Sequence, residues 1–170
     1  MIIYIFVFFE IYFNFIKYRL IPIIYVLISF LFFINIDFNN NLFLSFNIFI
    51  FSIIIFDTFS YLVGKSFGKR KLIKVSPNKT IEGLIGGFFS SFVFSLLLSY
   101  FLTFTINLEL IFYLFFIILS AFLGDVLESF FKRKNGLKNS SKLIPGHGGV
   151  FDRFDSFLFS IVFYSISINF

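Results

Sequence analysis

The chain is poor in several residue types that build common metal and disulfide sites. It has no cysteine and one histidine, and only 14% of its 170 residues are charged. The lack of cysteine excludes a disulfide framework and thiolate metal ligands, and one histidine argues against a zinc centre. Hydrophobic residues make up 59% of the chain, against about 45–50% in soluble domains. The composition therefore excludes an ordinary soluble globular domain.

Long hydrophobic runs predict an all-α, polytopic transmembrane helix bundle. A helix needs roughly 20 apolar residues to cross the hydrocarbon core of a bilayer. Charged and turn-forming residues divide the chain into about six candidate runs. The first is short and contains Glu10, so a re-entrant or interfacial position stays open for it. The runs are residues 2–16, 20–36, 42–63, 83–106, 110–131 and 154–170.

Basic residues are confined to alternate connections between these runs. All 14 lysines and arginines lie in the first, third and fifth connections, whereas the second (37–41) and the fourth (107–109) carry only acids and asparagines among their charged and amide residues. Basic connections stay on the cytoplasmic side of a membrane. We therefore expect an integral protein of the cell inner (cytoplasmic) membrane, with its basic loops, and any site they form, facing the cytoplasm.

A single carboxylate interrupts the third run. Asp57 lies among apolar residues, with Tyr61 and Gly64 on the same helical face. A carboxylate at that depth costs at least about 2.5 kcal/mol, so it usually faces a cavity or a partner. The alternative is an acid that extends to the cytoplasmic interface. We expect a functional role for Asp57.

More carboxylates occur where the fifth run ends and the sixth begins. Asp125, Glu128 and Ser129 are spaced to form one polar face. Asp152 and Asp155 open the sixth run; an N-cap and a favourable helix-dipole position would explain them as well. Carboxylates from separate helix ends, together with substrate phosphates, are suitable ligands for Mg²⁺.

Two loops have the composition of phosphate-binding segments. Residues 76–80 read Ser-Pro-Asn-Lys-Thr directly before a predicted helix N-terminus, which is a favourable place for an anion. Attraction of the surrounding basic loop to anionic lipid is the alternative. Residues 145–149 read Pro-Gly-His-Gly-Gly, whose bare backbone N–H groups could hold phosphate. Together with the acids, these loops indicate phosphoryl or nucleotidyl transfer to a membrane-bound phosphate.

At these residues the chain resembles the phosphatidate cytidylyltransferases (CDP-diacylglycerol synthases). Four motifs in family order cover about residues 55–157. Asn139 stands where the family has aspartate, and the N-terminal region is shorter than in typical bacterial members, so a shortened member is indicated. The motifs are Asp57 with Tyr61 and Gly64; Ser76-Pro77-x-Lys79-Thr80-x-Glu82-Gly83; Gly124-Asp125-x-x-Glu128-Ser129; and Lys132, Arg133, Lys138, Pro145, Gly146, His147, Gly148, Gly149, Asp152, Arg153 and Asp155.

The resemblance implies transfer of CMP from CTP to phosphatidate, forming CDP-diacylglycerol and pyrophosphate in phospholipid biosynthesis. It implies Mg²⁺ as cofactor, with a second, monovalent cation left open. The partners that the resemblance implies are CTP, phosphatidate and membrane lipids. It implies no nucleic acid, and a homodimer stays open. Residues 1–54 would be a reduced set of N-terminal transmembrane helices, and residues 55–170 the catalytic domain, with cytoplasmic loops 64–82 and 132–153.

The resemblance also assigns roles to individual residues. The metal ligands would be Asp125, Asp152 and Asp155. The catalytic set would be Asp125, Lys132, Arg133, Lys138, His147, Asp152, Arg153 and Asp155. The substrate-binding set would be Asp57, Tyr61, Ser76, Lys79, Thr80, Glu82, Glu128, Ser129, Gly148 and Gly149.

Three other interpretations stay open. A CTP-dependent lipid kinase of the polyprenol or dolichol type shares a cytidine-nucleotide motif and would release CDP. A cation-coupled transporter would explain acids inside membrane helices, although transporters place such acids near the bilayer midplane. A copy without turnover is the third, motivated by Asn139.

Overall fold

The computed structural model describes residues 1–37, 40–73, 76–144 and 148–168. Within these ranges the chain forms six α-helices and one two-stranded antiparallel hairpin. The helical class and the six predicted helices are thereby confirmed. The elements are α1 (Ile2–Asn14), α2 (Leu20–Ile34), α3 (Asn40–Phe67), β1 (Lys71–Ile73), β2 (Ser76–Thr80), α4 (Ile81–Thr103), α5 (Leu108–Lys134) and α6 (Phe151–Ser167).

Three of the helices in the described ranges are long and apolar enough to cross a membrane. They comprise Leu42–Phe67, Ile81–Thr103 and Leu108–Lys134. Only 28%, 22% and 33% of their most apolar windows are buried inside the protein, so most of this apolar surface points outward, as lipid contact requires. The other three helices, α1, α2 and α6, have 13, 15 and 17 residues, fewer than the roughly 20 that span a bilayer.

Helices α5 and α6 lie at the centre of the bundle. Helix α3 packs against α4, α5 against α6, and α2 against both α1 and α6. One buried apolar cluster joins α3, α5 and α6 around Phe49, Ile117 and Tyr164. A second joins α1, α2, α5 and α6 around Val7 and Phe151. Because α5 and α6 belong to both clusters, the carboxylates they carry are held from two sides.

Small side chains bring α3 and α4 close together. A glycine or serine is buried at every fourth position of α4, and their shared face lies against α3. The Ser91 hydroxyl donates to the Ser52 carbonyl oxygen at 2.6 Å, and the Ser95 and Ser52 hydroxyls are 2.8 Å apart. Small residues and interhelical hydrogen bonds are the usual means of helix association in membranes. The positions are Gly83, Gly87, Ser91, Ser95 and Ser99.

The hairpin fixes the start of α4. It lies within residues 64–82, for which only a cytoplasmic loop was predicted. Lys71 pairs with Thr80 across the two strands. The Thr80 hydroxyl caps α4 by accepting the Gly83 N–H at 3.1 Å, and the Ile81 N–H donates to the Arg70 carbonyl oxygen at 3.0 Å. The predicted phosphate-binding segment is thus an ordered strand that ends in a helix cap.

The close approach of α3 and α4 predicts that Gly87→Ala destabilises the protein. A methyl group at Gly87 would lie 2.9 Å from the Phe56 carbonyl oxygen, so the helices would have to separate. We expect the free energy of unfolding to fall by about 1–3 kcal/mol, measured by far-UV circular dichroism during thermal unfolding in detergent. Ile85→Ala, on the exposed face of the same helix, is the control. Equal losses in both variants would contradict this account of the packing.

Candidate active site

A cavity of about 620 Å³ lies where the C-terminal ends of α3 and α5 meet the N-terminal ends of α4 and α6. The hairpin forms another part of its wall. Predicted site residues from all four sequence motifs line it, so residues far apart in the sequence converge at one end of the bundle. The lining includes Asp57, Tyr61, Ser76, Lys79, Thr80, Asp125, Asp152, Arg153 and Asp155.

Three carboxylates form a compact cluster beside this cavity. Asp125, Glu128 and Asp155 each offer an oxygen atom, and these atoms lie within 4.8 Å of one another. Asp125 and Glu128 are one turn apart on α5, and Asp155 comes from α6. Gly124 permits this approach, because a methyl group there would lie 2.6 Å from the Asp155 carbonyl oxygen. Clustered carboxylate oxygens suit a hard divalent cation.

Lys132 links this cluster to Asp152. The Lys132 ammonium nitrogen is 2.6 Å from a Glu128 oxygen and 2.7 Å from Asp152 Oδ1. Asp152 Oδ2 also accepts the N–H groups of Gly149, at 2.8 Å, and Ser140, at 3.0 Å. Asp152 lies in the first turn of α6, before its apolar part. Burial disfavours its ionisation, but hydrogen bonds from the Gly149 N–H and the Lys132 ammonium group favour the charged form, and its pKa is lowered to about 2. Asp152 is therefore an ionised carboxylate that connects Ser140 and Gly149 to Lys132.

The structure thus brings together two of the three predicted metal ligands. Asp125 and Asp155 lie in the carboxylate cluster, and its third member is Glu128, which was predicted to bind substrate. Asp152 faces Lys132 and two backbone N–H groups. Its role as a metal ligand stays a prediction.

Lys79 and Asp57 connect the other walls of the cavity. Lys79, on β2, forms an ion pair with Asp125. Asp57 Oδ1 accepts the Ser156 hydroxyl at 3.0 Å, which joins α3 to α6. Asp57 therefore has both a partner and a cavity, as expected of a lone acid in an apolar run.

The predicted glycines of the loop before α6 lie against carboxylates. Gly148 has a φ of +85°, and a side chain there would collide with the Asp152 carboxylate. At Gly149 a side chain would collide with Glu10 and Ser140. Both positions therefore require glycine for close approach. His147 lies outside the described residues.

Some predicted residues that the structure describes do not line the cavity. Glu82 accepts the N–H groups of Lys69 and Arg70, at 3.1 and 3.2 Å, which supports the start of the hairpin. The Arg133 guanidinium donates to the Leu137 carbonyl oxygen. The residues in this group are Glu82, Glu128, Ser129, Lys132, Arg133, Lys138, Gly148 and Gly149, of which Glu128, Lys132, Gly148 and Gly149 lie against the carboxylates described above.

One acid near the site was not predicted to take part in it. Glu10 on α1 is buried and accepts hydrogen bonds from Ser140 and Phe151, at either end of the loop that carries the glycines. It carries the same signal as Asp57, a lone carboxylate in an apolar run. From the sequence alone, Glu10 was interpreted only as a sign that the first run has a re-entrant or interfacial position.

Fold and site together define a class of protein: a bundle of apolar helices with a cavity at one end whose carboxylates and lysines suit a metal ion and phosphate. The model of the Cytidylyltransferase family matches residues 1–170. The chain therefore belongs to the cytidylyltransferase family.

Curated relatives agree with this family. The chain is 49% identical over 106 residues to a phosphatidate cytidylyltransferase of Staphylococcus aureus (strain COL). It is 48% and 46% identical over 106 residues to phosphatidate cytidylyltransferases of Staphylococcus haemolyticus and Staphylococcus saprophyticus. Each match covers 61% of this chain and 40% of the relative. The matched part thus spans about two fifths of the length of these relatives.

The buried position of Lys132 predicts a large effect of Lys132→Met on stability. Its side chain is 13% exposed, and those of Glu128 and Asp152 are 0% and 10% exposed. Removing one partner of such buried charges costs about 3–5 kcal/mol. We therefore expect Lys132→Met to lower the free energy of unfolding by about 3–5 kcal/mol, measured by denaturation in mixed micelles.

The control is Lys134→Met, two residues along the same helix. Lys134 is exposed and lies over the Phe130 ring, so its loss should cost less than about 1 kcal/mol. Comparable losses in the two variants would show that the links from Lys132 to Glu128 and Asp152 do not stabilise the fold.

Proposed function

We propose that this protein transfers CMP from CTP to phosphatidate, giving CDP-diacylglycerol and pyrophosphate. The observation that carries the proposal is the convergence of Asp125, Glu128 and Asp155 beside Lys79 and Lys132, at the end of an apolar bundle. Membership of the cytidylyltransferase family and the names of the Staphylococcus relatives support the nucleotide and the lipid acceptor.

Asp125, Glu128 and Asp155 are the residues that would hold Mg²⁺, and Asp152 is a further candidate from the sequence. Their oxygens are hard ligands, and three of them already lie close together. When bound, Mg²⁺ supplies positive charge that neutralises phosphate oxygens. A second, monovalent cation is left to experiment.

The reaction is a substitution at the α-phosphorus of CTP. An oxygen of the phosphatidate phosphate forms a bond to this phosphorus, and the bond to the oxygen that bridges to the β-phosphorus breaks. The departing pyrophosphate keeps the electron pair. Because the phosphatidate oxygen is already anionic, no strong general base is needed. Alignment of the two substrates and neutralisation of their charge supply the rate enhancement.

The chain's own cations are placed for that neutralisation. Lys79 and Lys132 pair with carboxylates of the site, and Arg153 lines the same cavity. Lys79 and Arg153 therefore face phosphates bound in the cavity, and Lys132 acts on them through Asp152, which also lines it. The hydroxyls of Ser76 and Thr80 in the opposite wall can donate to phosphate oxygens.

The proposed location is the inner (cytoplasmic) membrane, with the cavity open to the cytoplasm. The segregation of all basic residues into alternate connections supports this orientation. Outward-facing apolar helices would keep the phosphatidate chains in lipid while the headgroup enters the cavity.

Turnover tests the proposed reaction. With Mg²⁺, labelled CTP and phosphatidate in detergent micelles, we expect labelled CDP-diacylglycerol and one equivalent of pyrophosphate. Asp125→Asn should reduce the rate by roughly 100-fold or more, since electrostatic groups at a reacting centre are worth that much. Release of CDP with a phosphorylated lipid would identify a kinase instead.

The matched control for Asp125→Asn is Glu109→Gln, at the other end of α5. Glu109 is exposed and lines a different pocket, so its loss should leave the rate unchanged. Near-normal turnover of the Asp125 variant would reject the assigned role of this carboxylate.

Metal removal tests the carboxylate cluster. A chelator should abolish turnover, and added Mg²⁺ should restore it. In Glu128→Gln we expect the Mg²⁺ concentration for half-maximal rate to rise by at least about tenfold, because even loss of an outer partner weakens metal binding that much. Glu109→Gln should show the wild-type requirement. An unchanged requirement in the Glu128 variant would remove Glu128 from the ligand set and favour Asp152.

A further inference from the structure

Glu10 is a buried carboxylate that the proposed reaction does not use. It lies in α1, is 3% exposed and is the only charged residue of this mostly apolar helix, where an acid needs partners. Its two oxygens have separate donors. The Ser140 hydroxyl donates to Oε1 at 2.5 Å, and the Phe151 N–H donates to Oε2 at 2.9 Å. Glu10 therefore holds two points that lie on either side of residues 141–150.

Both points are in direct contact with the site. The Ser140 N–H donates to Asp152, while its hydroxyl donates to Glu10. Phe151 is the first residue of α6 and precedes Asp152. Asp152 in turn pairs with Lys132. A displacement of Glu10 would therefore move the Asp152 carboxylate and its lysine.

The end of α1 makes further contacts with the same region. Asn135, which follows α5, accepts the N–H groups of Lys17 and Tyr18 at 3.1 and 2.9 Å. The buried rings of Phe15 and Phe151 pack edge to face, with centroids 5.9 Å apart. The contacts of Glu10 are thus part of an interface between α1 and the connection from α5 to α6.

We propose that Glu10 is a positioning residue that fixes Ser140 and the start of α6 and thereby orients Asp152. The activity part of this inference rests on the proposed function. The carboxylate accepts from both partners at once and carries a full negative charge. Glutamine of equal size has one acceptor oxygen; if that oxygen keeps the Phe151 N–H, the amide must donate to the Ser140 hydroxyl oxygen, and both contacts become neutral.

Tryptic cleavage tests the proposal without reference to activity. Lys142 lies between the two points that Glu10 holds, and Lys69 lies in the other basic loop, between α3 and β1; both lysines are exposed. In detergent-solubilised Glu10→Gln we expect cleavage after Lys142 to accelerate roughly tenfold, the effect of replacing a hydrogen bond to a charged group by a neutral one. Cleavage after Lys69 should be unchanged. Ser140→Ala removes the same contact from its other partner and should accelerate the same cleavage, so the proposal can still be tested if the Glu10 variant does not fold.

The matched control is Tyr4→Phe. Tyr4 is buried on the same helix, and its hydroxyl pairs with Ser29 on α2. It should alter neither cleavage rate. Equal acceleration at Lys69 and Lys142 would overturn the proposal, because it would indicate general loosening of the protein. Acceleration at Lys142 in Tyr4→Phe would overturn it as well, because it would indicate general loosening of α1. Unchanged cleavage in both Glu10→Gln and Ser140→Ala would also overturn it.

Turnover supplies the second arm. We expect Glu10→Gln and Ser140→Ala each to lower kcat roughly tenfold, and the double variant to lose less than the product of the two, because they share one contact. Multiplied losses would overturn the coupling. If the wild-type protein makes no CDP-diacylglycerol, the proposed reaction fails, and the cleavage arm still decides the role of Glu10.

Discussion

Repulsion between carboxylates gathered at one end of an apolar bundle is the constraint on which this structure depends. Asp125, Glu128 and Asp155 lie within a few ångströms of one another, in surroundings where an unpaired charge is expensive. The fold responds with Lys79 and Lys132, which pair with Asp125 and Glu128. Such a cluster is stable only while positive charge stays beside it. Binding of a cation or of phosphates therefore changes its stability.

The bundle is built to keep those groups at fixed positions. The helices that carry the cluster, α5 and α6, take part in both buried apolar cores, and Gly124 lets their backbones approach. The hairpin and the cap at Thr80 hold Lys79 against α5. Precision at a charged site is thus supplied by uncharged packing around it, since preorganised groups lose little energy in rearranging when substrate binds.

The sequence predicted the features that depend on side-chain type and short spacing. Hydrophobic runs predicted six helices, which the structure has, and the lone acid Asp57 lines the cavity. Other features depend on contacts that no local pattern encodes. The partners of Asp152 include backbone N–H groups of Ser140 and Gly149, and Glu10 meets Ser140 across 130 residues. The hairpin was missed because β1 has only three residues, and β2 is polar and contains Pro77.

The two kinds of carboxylate at this site have different physical tasks. Asp152 accepts two backbone N–H groups and an ammonium group, so its charge is already balanced and its orientation is fixed. Asp155 instead lies beside Asp125 and Glu128, where added positive charge lowers the energy of all three. Because Lys132 contacts both Glu128 and Asp152, it couples the cluster to the loop before α6. A change of charge at the cluster therefore alters the forces on that loop, and Glu10 opposes its movement from the other side.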